Sequence, residues 1–198
     1  RNRMSDHMDR NVLLIKEHIG MFKAANNFDI FDPATGEPLL YCREEGLGPF
    51  TKILRFTDFK RYTPFDIRVS TLDGRQVVRI KRGVTVIRSH VQVFDEHDRP
   101  IGAFRQKLLS IGGAFAVLDP EDRELCRLTG KWTSWEFSFT AGDVEVASVT
   151  KKWSGMGKEF FTSADNYMLE ISEDVPPDNP MRQLIMAAVM CIDMVLKE

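Results

Sequence analysis

From Leu184 to Ile192 the chain reads "LIMAAVMCI", a run without one polar side chain. Wound as a helix, these residues point apolar groups in every direction around the axis. A helix apolar all round is buried, either in lipid or in protein. Length separates the two environments. Leu184 to Leu196 would extend roughly 20 Å at the helical rise, whereas a hydrocarbon core is about 30 Å thick and takes about 20 apolar residues. Asp193 also interrupts the run. The expectation is therefore no transmembrane span, and instead a central helix over residues 180–197 that the rest of the chain must enclose. Asp178 or Asn179 can cap its start, Pro180 suits its first turn, and Lys197 suits the negative end of its dipole.

The preceding sequence supplies the material for enclosure. "FDIFDPATGEPLLYCRE", "FDIRVSTLDGRQVVRIKRG", "VQVFDEHDRPIGAFRQK", "FAVLDPEDRELCRLTG" and "FSFTAGDVEVASVTKKW" share one plan. A short alternating run meets a turn rich in Asp, Gly or Pro and returns as a second alternating run, which is the signature of a β-hairpin. In the second unit Phe65, Ile67 and Val69 fall on one face and Asp66 and Arg68 on the other. Two further strands, at Asn11–Lys16 and Tyr167–Ile171, bring the total to about twelve. Apolar on one face, they can close as a β-barrel around the helix, which also hides the sheet edges. Small residues Ala187 and Ala188 would let strands approach it. The reading is a mostly β chain with one domain. Residues 1–26 form an N-terminal segment with the first strand, and residues 27–198 form the barrel with its helix. A short helix is expected near Phe50–Phe56, inside the long connection at residues 46–64.

Composition narrows the function. Four histidines (His7, His18, His90, His97) stand far apart, and there is no nucleophile elbow, phosphate loop or dinucleotide glycine pattern. The chain does not read as an enzyme. Cys42, Cys126 and Cys191 are too widely spaced for a metal pair, and their odd number suits a reducing intracellular setting. The first eighteen residues contain no long apolar stretch, so no signal peptide is expected.

Charge is unevenly distributed. Residues 52–88 carry ten basic residues against three acids, while residues 119–198 carry fifteen acids against eight bases. Such asymmetry marks a face for phosphate groups, or two segments that neutralise one another. Lys52, Arg55, Lys60 and Arg61 in the long connection, with Arg79, Lys81 and Arg82 on the strand that follows, are the candidate phosphate ligands.

The C-terminal third resembles the phospholipid scramblase family. The matching elements are Trp153, Ser154 and Gly155; then Phe161, Thr162, Ala164, Asp165, Asn166 and Tyr167; then Ile192 and Asp193 in the apolar helix. The family is grouped with tubby-like and LURP-one-related proteins. The resemblance implies a twelve-stranded tubby-like barrel around a central hydrophobic C-terminal helix, and a role in phospholipid movement or, for some members, DNA binding. It also implies a calcium loop at "SADNYMLEISED", with Asp165 and Asp174 at the third and twelfth positions. Here Ser163 stands where the family has Asp, and "YMLEI" alternates like a strand, so a turn that binds no calcium is the other reading. No cysteine cluster for acylation and no Pro-rich arm is present.

Membrane contact without acyl chains would be electrostatic and reversible. The expected partner is therefore an anionic phospholipid headgroup, bound peripherally at the inner face of a membrane by a cytoplasmic protein. A protein-binding scaffold and a nucleic-acid-binding regulator are the alternatives, the latter competing for the same cations.

Overall fold

The computed structural model describes residues 9–17, 27–44, 46, 48–54, 57, 63–83, 90–106, 114–131, 134–151 and 166–195, with only the backbone of Phe50 and of residues 193–195. Twelve strands follow one another in chain order: β1 (Val12–Glu17), β2 (Phe28–Phe31), β3 (Pro38–Glu44), β4 (Phe65–Thr71), β5 (Gln76–Arg82), β6 (His90–Phe94), β7 (Pro100–Gln106), β8 (Ala114–Leu118), β9 (Glu124–Lys131), β10 (Glu136–Ala141), β11 (Val144–Thr150) and β12 (Asn166–Ile171). Each pairs antiparallel with its sequence neighbours, and β1 pairs with β12, so the sheet is a closed up-and-down barrel. Since β1 completes the ring, position 26 falls between two adjoining strands of one sheet. Among the described residues two helices complete the fold, α1 (Pro49–Leu54) in the β3–β4 connection and α2 (Met181–Val195).

Eight strands leave a lumen that side chains alone can fill, and sixteen leave a channel. Twelve leave space for a helix, about 10–12 Å across with its side chains. Here α2 occupies it. Every residue from Leu184 to Ile192 is buried, and they join one core cluster with inward residues such as Ile15, Ile30, Ile67, Ile80, Phe104 and Phe139. Close approach depends on Gly102 in β7. A methyl there would press on the Leu118 carbonyl oxygen and lie 2.8 Å and 3.1 Å from the two Leu184 methyls.

Both ends of the barrel are defined by the hairpins. At one end the five hairpins turn tightly. Asp95 N–H donates to Arg99 O and Asp98 N–H donates to Asp95 O, while the Asp95 carboxylate accepts the N–H groups of His97 and Arg99. Asp119 repeats every element of this with Glu121, Asp122 and Arg123. In the β4–β5 turn the Thr71 hydroxyl takes the carboxylate's place, and Gly74 takes the left-handed position, φ 87°, that Asp98 and Asp122 fill in theirs. The other end carries the long connections, among them the one that contains α1.

The helix enters from the tight-turn end. Asn179 caps it, its Oδ1 accepting the Met181 N–H at 2.9 Å. The second residue of the helix, Arg182, is 1% exposed. Its guanidinium donates to the carbonyls of Val175, Pro176 and Arg10 and to the Asn11 side chain. This one side chain ties the helix to the start of β1 and to the loop after β12. Burial holds its pKa below the usual arginine value, with the Asp9 charge acting the other way.

Candidate functional site

The outer wall of β3, β4 and β5 gathers the basic residues. Strand alternation sends Phe65, Ile67 and Val69 inward and Asp66 and Arg68 outward, and on β5 it sends Val78 and Ile80 inward and Arg79 and Lys81 outward. Arg82 follows the same alternation inward. It is 3% exposed, donates to Thr63 O at 2.8 Å and lies 4.7 Å over the Phe65 ring. This corrects the sequence assignment of Arg82 to a phosphate-binding surface: the residue after an outward lysine on a strand belongs to the lumen.

The register adds two residues that the sequence reading did not select. Arg43 pairs with Arg68 across β3–β4, and Arg68 pairs with Arg79 across β4–β5. Three guanidinium groups therefore form one row across three strands. Like charges directly opposite on a sheet are destabilising, and the two outer arginines are compensated. Arg43 donates to Asp29 at 2.7 Å and to the carbonyls of Phe28 and Cys42, and lies over the Tyr41 ring. Arg79 forks onto Asp66 at 2.9 Å and 2.7 Å and reaches Asp98 at 3.4 Å. The Arg79 hydrogen bond holds the Asp66 carboxyl below the usual carboxylate range, and Gln76 and Arg79 do the same for Asp98. Arg68, between them, is exposed and makes no hydrogen bond or ion pair with the described residues, although its charge adds to the lowering of Asp66 and Asp98. The only register signal available in sequence was the alternation around Arg68. The cross-strand row itself depends on pairing that no single segment encodes.

Lys81 extends the wall toward the long-connection end, exposed and 3.9 Å from Asp66. Lys52 stands exposed on α1, in the connection that leaves β3 at this same end. Arg55, Lys60 and Arg61 lie outside the described residues. The acids that pair with Arg75, Arg79 and Lys81 are Asp73, Asp66 and Asp98. Those ion pairs are thus local to the wall and its turns, and do not draw on the acidic segment at residues 119–198.

Of the two calcium candidates, only Asp174 lies among the described residues. Asn166 already begins β12, and Asp174 lies beyond its far end, in a turn where it bonds to Ser172. Five strand rises of about 3.3 Å separate Asn166 from Ile171, so Asp174 cannot join an ion held beside Asn166. Asp165 lies outside the described residues. Among the described residues only Asp95, Glu96 and His97 bring three metal-type ligands within 4.8 Å. Asp95 is committed there to the turn and to Arg99.

Nothing on this wall resembles a nucleophile and base. The three thiols are buried; burial pushes Cys126 and Cys191 up to about 12 and raises Cys42 further still. Two concavities among the described residues lie elsewhere. One is an apolar gap of about 10 Å³ between Trp135, Tyr167, Val189 and Ile192, with room for about one water. The other is a shallow groove of about 390 Å³ over the outer face of β9–β11, lined by Thr129, Ser138, Ser148 and Thr150. No described helix is long and apolar enough to cross a membrane.

Comparison with known proteins gives the lineage of this barrel. A solved structure of a protein from Arabidopsis thaliana superposes with a TM-score of 0.57, covering 96% of this chain and 94% of that one at 16% identity. That likeness shows the shared fold. Phospholipid scramblase 2 of Homo sapiens is 22% identical over 148 residues, which are 67% of this chain and 49% of the human protein. The match spans about half the length of that relative. The family model described as Scramblase matches residues 7–198, from before β1 to beyond α2. The chain belongs to the scramblase family.

Proposed function

We propose that this chain binds anionic phospholipid headgroups peripherally through the outer wall of β3–β5. The observation that carries the reading is the arginine row, whose centre makes no hydrogen bond or ion pair among the described residues. Arg43 and Arg79 are held in place by carboxylates, and Arg68 between them offers a planar, always-charged fork to a phosphate oxygen pair. Lys81 and Lys52 add charge toward the long-connection end. Cations near an anionic membrane surface contribute about 1 kcal/mol each, and the attraction decays within a Debye length. Arg82 has no part in this, since it faces the lumen.

Family membership supports a scramblase-related role, and headgroup capture is the step of such a role that this wall supports. The reading is non-catalytic and requires no bound metal. It fits a protein held reversibly at the inner face of a membrane.

Co-sedimentation with vesicles tests it. Binding to vesicles containing phosphatidylserine should exceed binding to phosphatidylcholine alone, and should fall as salt rises. Arg68→Glu should weaken it about tenfold or more, because it both removes a cation and adds a repulsive charge. Equal binding by the wild type and Arg68→Glu at low salt would exclude the wall as the site.

A further inference from the structure

We infer that the barrel docks on an anionic bilayer by its long-connection end, with Ile53 of α1 entering the apolar layer. This rests on the anionic-lipid reading above and specifies which end of the molecule meets the membrane. Among the described residues three large apolar side chains are strongly exposed: Ile53 at 65%, Leu72 at 59% and Val144 at 56%. Topology divides them. Leu72 and Val144 belong to the tight turns β4–β5 and β10–β11, whereas Ile53 belongs to the β3–β4 connection at the opposite end.

Charge chooses between the ends. Every tight turn contributes an aspartate: Asp32, Asp73, Asp95, Asp119 and Asp143, with Asp174 in the turn that leads to α2. Arg10, Arg75, Arg99 and Arg123 offset Asp32, Asp73, Asp95 and Asp119, but Glu37, Glu96, Glu121, Asp143 and Asp174 leave that end net acidic, and an anionic surface repels it. At the other end Ile53 is preceded by exposed Lys52, Lys81 lies one residue from the end of β5, and Lys151 follows β11. An exposed isoleucine beside lysines matches the interfacial pattern, in which apolar side chains enter the acyl boundary and cations remain among the headgroups. The arginine row lies on the wall between β3 and β5, the two strands that run toward this end. The row crosses the middle of that wall, so a barrel tilted from this end toward β3–β5 would present both features to one membrane.

The buried thiols make the test direct. Because Cys42, Cys126 and Cys191 are 0–2% exposed, a maleimide fluorophore will label an introduced surface cysteine selectively. Ile53→Cys, Leu72→Cys and Val144→Cys, each carrying an environment-sensitive dye, are mixed with phosphatidylserine-containing vesicles with and without brominated acyl chains. The dye at position 53 should shift to the blue and be quenched by bromine, and those at positions 72 and 144 should do neither. Unlabelled Ile53→Ser should lose about tenfold in partitioning, the scale of withdrawing one large aliphatic side chain from an apolar layer. Vesicle binding with no quenching at position 53, or quenching at 72 or 144, would overturn the inference and leave headgroup binding standing. Failure of the wild type to bind anionic vesicles would overturn both.

Discussion

Replacing Gly102 by alanine probes the central packing device with a single methyl. The new Cβ would press on the Leu118 carbonyl oxygen and sit 2.8 Å and 3.1 Å from the Leu184 methyls, where ordinary contacts begin at 3.4 Å. The carbonyl belongs to β8, which is paired on both sides, so it cannot retreat alone. The leucine is fully buried on α2. Overpacking of this kind costs about 1–3 kcal/mol. Relief of glycine's chain entropy returns about 0.5–1 kcal/mol. A net loss of about 1 kcal/mol lowers Tm by roughly 2–4 °C in a chain of this length. Urea denaturation followed by tryptophan fluorescence measures it. Leu184→Ala alone should cost about 2–5 kcal/mol through its cavity. Made together, the two changes should lose about 0.5 kcal/mol or more less than their sum, since the cavity relieves the overlap with Leu184 while that with the Leu118 carbonyl stays. A stable Gly102→Ala protein, or strict additivity with Leu184→Ala, would refute the claim that helix and wall meet at this point.

Arg182→Met should destabilise by about 3 kcal/mol or more, because the Val175, Pro176 and Arg10 carbonyls lose a buried charged donor. Arg182→Lys should recover only part of this in the same denaturation assay, having no planar fork. Acid stability should depend on the turn aspartates. Against the cost of burial, the N–H groups of Arg99 and His97 and the Arg99 guanidinium hold the folded Asp95 carboxyl below its ordinary value. A depressed folded pKa gives stability that is complete above the unfolded value, near 4, and is lost as pH falls through the folded one. Asp95→Asn should therefore flatten the acid limb of a Tm-against-pH profile below about pH 4. An unchanged slope would show that Asp95 does not contribute there.

The five hairpins and the enclosed helix were legible because each is a local pattern. Phe65, Ile67 and Val69 declare a strand face, and "DEHDR" declares a turn without reference to anything distant. The length of the apolar run against the hydrocarbon thickness then decided what the helix is buried in. The site was less legible for a physical reason. Arg43, Arg68 and Arg79 are separated by 25 and 11 positions in the chain and become neighbours only through register. Arg82 shows the converse: a count of nearby cations included it, and alternation turned it into the lumen. Ile53 carried no sequence signal beyond its neighbours Lys52 and Leu54, since exposure of a lone isoleucine depends on what the fold leaves uncovered.

The order of elements along the chain has a consequence during synthesis. The helix that fills the lumen is translated after all twelve strands. At about 5–20 residues per second, β1 waits on the order of 10–30 s before α2 is complete. Until then the inward faces of the strands have nothing to close upon, and for most of that time β1 lacks its partner β12. Hairpins can form as they emerge, because their contacts are local, but ring closure must bring together segments more than a hundred residues apart, the slow kind of contact. The nascent chain thus passes through a stage with open sheet edges and exposed apolar strands. A ribosome stalled before Met181 would release a sheet without its core.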